Sequence, residues 1–360
     1  MNQFLANGKE FALIEKLFDP SHFSKTGRGL GDDAYLLDLG GETLAISTDS
    51  SVENVHFNLH WCSIAEALEK ALLSNLSDIN AMGAKTEWVF FNLGAKKNWT
   101  DEEYEPIATT LARLEKDYGF RIVGGDTVKV PKEADCFFTF TVIGKISGQS
   151  LLRSQAKPGH KIYVSGELGR SAAGLSLFQK GKRIVQAGGQ SQSLSQSQSL
   201  RQGQGGNRDQ LENFFLSAHL LPRPPLLLGP ALAQIPSPIA ALDISDGLSS
   251  ELGHLSRQSD CRMVVEWSKL PYSDQLPLLV EDDSWMNWVL SGGEDYLLLF
   301  TGNFSDSELK GLQMKNGISD LGMENGKSIF EIGSVMEGEG VGLIDELGQE
   351  KELIPQGWSH

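Results

Sequence analysis

The chain has 360 residues, of which 40% are hydrophobic and 22% charged, and its 47 acidic against 31 basic side chains leave a formal net charge of −16. Such an acidic balance argues against a nucleic-acid or anionic-membrane partner, whose phosphates need a basic surface, and admits a phosphate substrate only where cations supply positive charge locally. Cys62, Cys136 and Cys261 are too few and too scattered for a disulfide framework or a cysteine-built zinc site.

In chain order, FALIEKLF (11–18) spaces Phe11, Ile14, Leu17 and Phe18 as a helix does. No basic region with a long apolar run precedes it, and no stretch reaches the ~18 apolar residues of a membrane span. A cytoplasmic location is the expectation. The polar loop SKTGRGLGDD (24–33) leads into two strands, AYLLDL (34–39) and ETLAIST (42–48), with Gly40-Gly41 as their turn. The second strand runs into Ser47, Thr48, Asp49, Ser50 and Ser51 and closes on Glu53 and His56. Two readings of this stretch stand: a turn whose side chains bond nearby amides, or oxygen ligands delivered to one place.

A helix is predicted over 63–82, with an apolar stripe of Ile64, Leu68, Leu72, Ile79 and Met82, and Gly83 as its stop. Strand 88–94, helix 101–119 and strands 121–125 and 136–144 complete an α/β or α+β unit. The pattern restarts after KPGHK (157–161) with strand IYVSG and helix LGRSAAGLSLF. The domain boundary falls near 146–155, giving 1–148 and 149–360. Residues 186–210, rich in Gln, Ser and Gly, are too poor in large apolar side chains to offset their ordering entropy and read as a disordered surface insertion.

Acids recur beside Ser, Thr or Gly at the ends of apolar segments: Asp32, Asp33, Asp49, Asp78, Asp126, Asp243, Asp246, Glu294 and Asp295. Singly each is an ordinary turn or cap residue, and Ser245 or Asp246 would cap the helix that follows. Converging carboxylates are another matter. Two of them ~4 Å apart repel by about 4 kcal/mol at an effective dielectric near 20, so cations must accompany them. Hard oxygen donors without a Cys or His cluster suit Mg²⁺ shared with a polyphosphate. The segment GMENGKS (322–328) is not a phosphate loop, because three residues separate Gly322 from Gly326 where the pattern needs four.

STDSSVENVHF, KALLSNLSDINAMGA, IVGGDTVK, ALDISDGLSSELGHL and LSGGEDYLLLF, in this order, resemble the signature segments of the thiamine-monophosphate kinase family. That family belongs to the superfamily of aminoimidazole ribonucleotide synthetase and selenophosphate synthetase. The resemblance runs from GKEFALI (8–14) to GWSH (357–360). It implies a two-domain α/β fold like that of aminoimidazole ribonucleotide synthetase, with an N-terminal ATP- and Mg-binding, dimerising domain and a C-terminal α/β domain. It implies ATP-dependent phosphorylation of thiamine monophosphate to thiamine diphosphate by direct γ-phosphoryl transfer, in a homodimer.

Carried over residue by residue, the resemblance makes Asp33, Ser47, Thr48, Asp49, Asp78, Asp126, Asp243 and Asp246 the Mg²⁺-binding positions, with turnover depending on Asp49, Asp126 and Asp246. It makes Tyr118, Gly125, Asp126, Arg153 and Ser245 the ATP contacts, and His56, Glu294 and Trp358 the contacts to thiamine phosphate. A cationic thiazolium stacked on Trp358 would be favoured by cation–π attraction. The insertion at 186–210 departs from the family pattern, as does Val128, where the family often has a small polar residue. Two readings compete. One is another ATP-dependent synthetase of the superfamily, although residues 1–40 lack the reactive Cys expected for selenophosphate synthesis and the chain ends without the Cys of a hydrogenase-maturation member. The other is a catalytically silent metal- or nucleotide-binding module whose Gln/Ser tract recruits a protein.

Overall fold

The computed structural model describes residues 17, 20–27, 29–184, 208–315 and 328–356. The predicted helix at 11–18 apart from Leu17, most of the 186–210 insertion, most of GMENGKS and Trp358 lie outside the described residues. Arg208–Gln210, placed in the insertion from composition, instead open a helix whose apolar residues Phe215 and Leu216 are buried.

Two mixed sheets organise the chain, in keeping with the α/β class. The first contains β1 (Tyr35–Leu39), β2 (Glu42–Val52), β3 (Ala84–Lys96), β4 (Arg121–Val130) and β5 (Phe137–Ile146), in the order β1-β2-β5-β3-β4. Within this sheet, among the described residues, only β3 and β4 run parallel. Helices α1 (Ile64–Ala81) and α2 (Asp101–Tyr118) cover one face, against which β5 turns Phe138, Phe140 and Val142. The alternation along β5 is regular, so its odd-numbered residues face the other way.

The strand predicted to end at Thr48 continues through Asp49, Ser50 and Ser51 to Val52. Its residues pair with β5 from Ser47↔Val142 to Val52↔Phe137, and this distant ladder overrides the local turn preference of Ser, Thr and Asp. β4 likewise continues past Gly125 to Val130 because β3 pairs with it over its length.

The second sheet holds β6 (Lys161–Val164), β7 (Ala240–Asp243), β8 (Arg262–Glu266), β9 (Leu298–Gly302), β10 (Phe330–Met336), β11 (Val341–Ile344) and β12 (Glu350–Glu352), in the order β12-β11-β8-β10-β6-β9-β7. Both faces of the sheet are covered at β9 and the edge strand β7, and every residue of these two strands is buried. Ile162, Val164, Leu242 and Leu299 meet α3 (Arg170–Gln179), α4 (Arg208–Leu220), α6 (Leu248–Ser259) and α7 (Trp285–Ser291). Tyr163, Ala241, Leu298 and Phe300 meet α5 (Leu228–Leu232) and α8 (Asp306–Lys315).

Helix α1 lies at the junction of the two sheets. A capping box of Ser63 and Glu66 starts it. It is buried well beyond its apolar stripe: Lys70, Asn75, Ser77 and Asn80 are buried as well. Asn80 Oδ1 accepts the Gly229 amide of α5 at 2.8 Å, and a β-carbon at Gly229 would fall on the Asn80 carbonyl. Among the described residues no helix is long and apolar enough to cross a membrane.

Candidate active site

Three carboxylates from three parts of the chain meet where α1 crosses from one sheet to the other. Asp33 precedes β1, Asp78 lies in the last turn of α1, and Asp243 ends β7; each offers an oxygen, and the three lie within 4.8 Å of one another. Ser47 Oγ donates to Asp78 Oδ2 at 2.9 Å. β1 reaches only to Ile46 in its pairing with β2, so the next β2 amides on that edge need other acceptors; Asn75 Oδ1 takes the amide of Asp49 at 3.1 Å.

Burial pushes the Asp243 carboxyl up to about 8, and the charges of Asp33 and Asp49 add to the push. Asp78 rises well above the carboxylate range by burial and then through Asp49, Asp243 and Asp33. One cation answers this charge directly: Arg153 Nη2 lies 2.5 Å from Asp33 Oδ1, and the Arg153 amide donates to Asp32 Oδ1 at 3.0 Å. Burial likewise drives Asp32 up to about 7, against the lowering effect of Arg153. Asp33 Oδ2 and Asp243 Oδ2 are buried and without a hydrogen-bond partner. Buried carboxylate oxygens left this way in an all-oxygen cluster fit a hard divalent cation such as Mg²⁺.

The loop after β7 adjoins the cluster. Glu251, buried in the first turn of α6, accepts the Asp246 amide at 3.1 Å, and Ser245 Oγ lies 3.5 Å from the same oxygen. The expected capping of α6 by Ser245 or Asp246 is therefore reversed: the helix cap is Gly247, and the helix side chain holds the loop. A β-carbon on Gly247 would come within 2.6 Å of the Ser291 backbone, so this loop can approach the end of α7 so closely only at glycine.

Beside it, Glu294 and Asp295 divide their work. The Asp295 carboxylate accepts the amides of Gly169 at 2.6 Å and Ser171 at 2.9 Å, capping α3 from a distant loop. The Glu294 side chain, one-fifth exposed, pairs with Lys70 at 3.0 Å and lies 3.5 Å from His219 Nδ1. Burial alone would raise the Glu294 carboxyl; Lys70 and His219 outweigh it and hold the group below its ordinary value. His56 contributes to the same lowering, so it sits near enough to be felt. The Val52 amide donates to His56 Nδ1 at 3.0 Å, which leaves the proton of the neutral ring on Nε2.

Asp33, Ser47, Asp49, Asp78, Asp243 and Arg153 thus come together, with Ser245 and Asp246 adjoining and with His56 and Glu294 as a second group. Thr48 departs: its hydroxyl lies 3.1 Å from the Phe140 carbonyl and 3.0 Å from Thr141 Oγ1, on the face of β2 opposite Ser47 and Asp49, because strand side chains alternate. Asp126 and Gly125 also depart. They lie on β4, three strands from β2 and so about 14 Å away, and Asp126 is exposed in the row Ser50–Thr139–Asn92–Asp126 on the Thr48 face. Tyr118, at the end of α2, packs on the first core and feels Glu69 and Arg223; Glu69 stands nine residues, about 13 Å, along α1 from Asp78. Lys70, His219 and Glu251 carry no signal in the sequence, and Asp32 stands there only among the recurring acids. Lys70 falls off the apolar stripe of α1, and a lone His219 in FFLSAHLL carries no motif.

A family model described as the N-terminal domain of AIR synthase related proteins matches residues 31–146. The thiamine-monophosphate kinase of Escherichia coli (strain K12) is 37% identical over 297 residues, 81% of this chain and 82% of that protein. The thiamine-monophosphate kinase of Bacillus subtilis (strain 168) is 35% identical over 355 residues, 98% of this chain and 99% of that protein. Among solved structures, AaThiL complexed with AMPPCP and TMP matches with a TM-score of 0.74 at 26% identity, over 98% of this chain and 96% of that chain.

Proposed function

The chain belongs to the thiamine-monophosphate kinase family, and from that premise we propose how its residues share the reaction. The activity is ATP-dependent phosphorylation of thiamine monophosphate to thiamine diphosphate. The observation that carries the assignment of roles is the group of three acids within 4.8 Å, two with buried, partnerless oxygens.

Asp33, Asp78 and Asp243, with Asp49 and Ser47 beside them, would hold Mg²⁺. Bound there, the metal would supply charge neutralisation for the phosphate oxygens. Arg153, anchored by Asp33 and by the Asp32 contact to its backbone, offers a fixed positive charge at the edge of the cluster for the ATP phosphates. The acceptor is a phosphate, with a second pKa near 6, so no strong base is needed at neutral pH and positioning carries most of the work. His56 would donate through Nε2, and Glu294 would receive the cationic body of thiamine monophosphate. Ser245 and Asp246, tied to Glu251, would border the ATP phosphates.

Asp126 and Gly125 take part only if a second copy brings them in, and a homodimer is part of the proposal. The uncovered face that carries Asp126 also exposes Tyr35, Trp88, Phe90 and Val128, an apolar patch of the kind that marks an interaction surface. Residues 1–148 would then form the dimerising unit, with 149–360 contributing Asp243, Asp246 and Glu294. A cytoplasmic location fits the substrates.

The test is incubation of purified protein with Mg-ATP and thiamine monophosphate, with aminoimidazole ribonucleotide precursors and selenide as controls. Formation of thiamine diphosphate is expected. Folded protein that makes none, or that turns over only a control substrate, would overturn the assignment.

A further inference from the structure

We propose that Lys70 and His219 are positioning residues that clamp the Glu294 carboxylate in the orientation that receives the cationic part of thiamine monophosphate. The inference rests on the reading of Glu294 as a substrate contact. Its observation is a buried polar assembly drawn from four elements. Lys70 comes from α1, His219 from α4, Ser171 from the first turn of α3, and Glu294 from the loop before β9.

Lys70 is 7% and His219 4% exposed. Lys70 Nζ lies 3.0 Å from Glu294 Oε1 and 3.5 Å from His219 Nε2. His219 Nδ1 lies 3.0 Å from Ser171 Oγ and 3.5 Å from Glu294 Oε2. An ammonium only donates, so Nε2 of His219 accepts from it and the ring proton sits on Nδ1, on the side of Glu294 and Ser171. One carboxylate oxygen thus meets a cation and the other faces a neutral donor. His219 stays neutral because burial, and then the charge of Lys70, depresses its proton affinity.

The backbone is arranged to present this one side chain. Glu294 has φ 65° and Tyr296 φ 50°, left-handed values that are costly for residues with a β-carbon. They are held by the Glu294 amide on the Ser245 carbonyl at 2.7 Å and the Tyr296 amide on the Ile244 carbonyl at 2.9 Å, while Asp295 caps α3. A surface loop needs none of this. A carboxylate with both oxygens fixed from inside and a remaining edge one-fifth open to solvent is suited to meet a ligand cation.

The experiment compares Lys70→Met, Lys70→Arg, His219→Leu, His219→Asn and Glu294→Gln in the full chain, with circular dichroism and active-site titration to count folded enzyme. Lys70→Met is expected to raise KM for thiamine monophosphate about tenfold or more while KM for ATP moves less than threefold, with Lys70→Arg restoring most of the loss. His219→Leu should act in the same direction, and His219→Asn, which retains a donor near the Nδ1 position, should act less. Because both singles work through one carboxylate, Lys70→Met combined with Glu294→Gln should be no worse than Glu294→Gln alone. If Glu294→Gln raises KM for thiamine monophosphate but Lys70→Met leaves it unchanged, or the two effects multiply, the clamp is refuted and the reading of Glu294 stands. If Glu294→Gln itself leaves that KM unchanged, the reading of Glu294 falls and the clamp with it.

Discussion

Replacing Asp243 by Asn should stabilise the protein when metal is stripped away and destabilise it, relative to wild type, when Mg²⁺ is supplied. Asp33, Asp78 and Asp243 present oxygens within 4.8 Å of one another, and a fully charged pair at that distance repels by about 3.5 kcal/mol at an effective dielectric of 20. Of these three acids, Arg153 forms its ion pair with Asp33. The proton balance gives a similar size. Burial lifts Asp243 from 3.8 to about 8, so the folded state holds a proton the unfolded chain releases. Stability from this group is complete below pH 3.8 and is lost as the pH rises towards 8. By pH 7 the loss amounts to about 4 kcal/mol as an upper figure.

Asn carries no such cost, and its amide can donate to a neighbouring carboxylate. With EDTA at pH 7, Asp243→Asn should therefore unfold several degrees above wild type, and the gap should widen from pH 5 to pH 8. Saturating Mg²⁺ should raise the wild-type Tm and raise that of the variant far less, reversing the order. Differential scanning calorimetry with and without Mg²⁺ reads both. A variant that melts below wild type in EDTA, or that gains as much as wild type from Mg²⁺, would refute the view that these acids are strained in the absence of a cation.

His219, buried neutral with its pKa depressed to about 3 from 6.5, contributes stability that is complete above pH 6.5 and is lost as the pH falls towards 3. Between pH 7 and pH 5 wild type should lose about 2 kcal/mol relative to His219→Asn, measured by urea unfolding at each pH; parallel curves would count against a buried neutral ring. Gly229→Ala should cost about 2 kcal/mol or more, because its β-carbon meets the Asn80 backbone rather than a side chain that can move aside. A chemical-denaturation midpoint equal to wild type would show that the contact gives way. Phe90→Asp, on the uncovered face beside Asn92, should turn a dimer into a monomer in light scattering and lower turnover; an unchanged mass would leave Asp126 without a route to the acid cluster.

Much of the fold was legible because periodicity and punctuation are local. The α1 helix announces itself through its stripe and the Gly83 stop, and the Gly40-Gly41 turn fixes β1 against β2. The boundaries that failed did so for non-local reasons. Asp49, Ser50 and Ser51 have turn-forming side chains, and only the ladder to β5 makes them strand. The side of β2 on which Thr48 lies is likewise a matter of register: its neighbours Ser47 and Asp49 face α1, while Thr48 turns to Thr141.

The acids of the site were visible as residue types and through the family resemblance, but their distances were not. The sequence by itself determined most elements of the first sheet and its helices, which side chains are hard oxygen donors, and that their charge demands a cation if they meet. Only the tertiary structure decided that Asp33, Asp78 and Asp243 do meet, that Asp126 does not join them within one chain, and that Lys70 and His219 belong to the site. The reason is physical: a lysine or histidine has the same local propensities on a wet helix face as in a sealed junction. What it does is set by the partners that packing brings within hydrogen-bond reach.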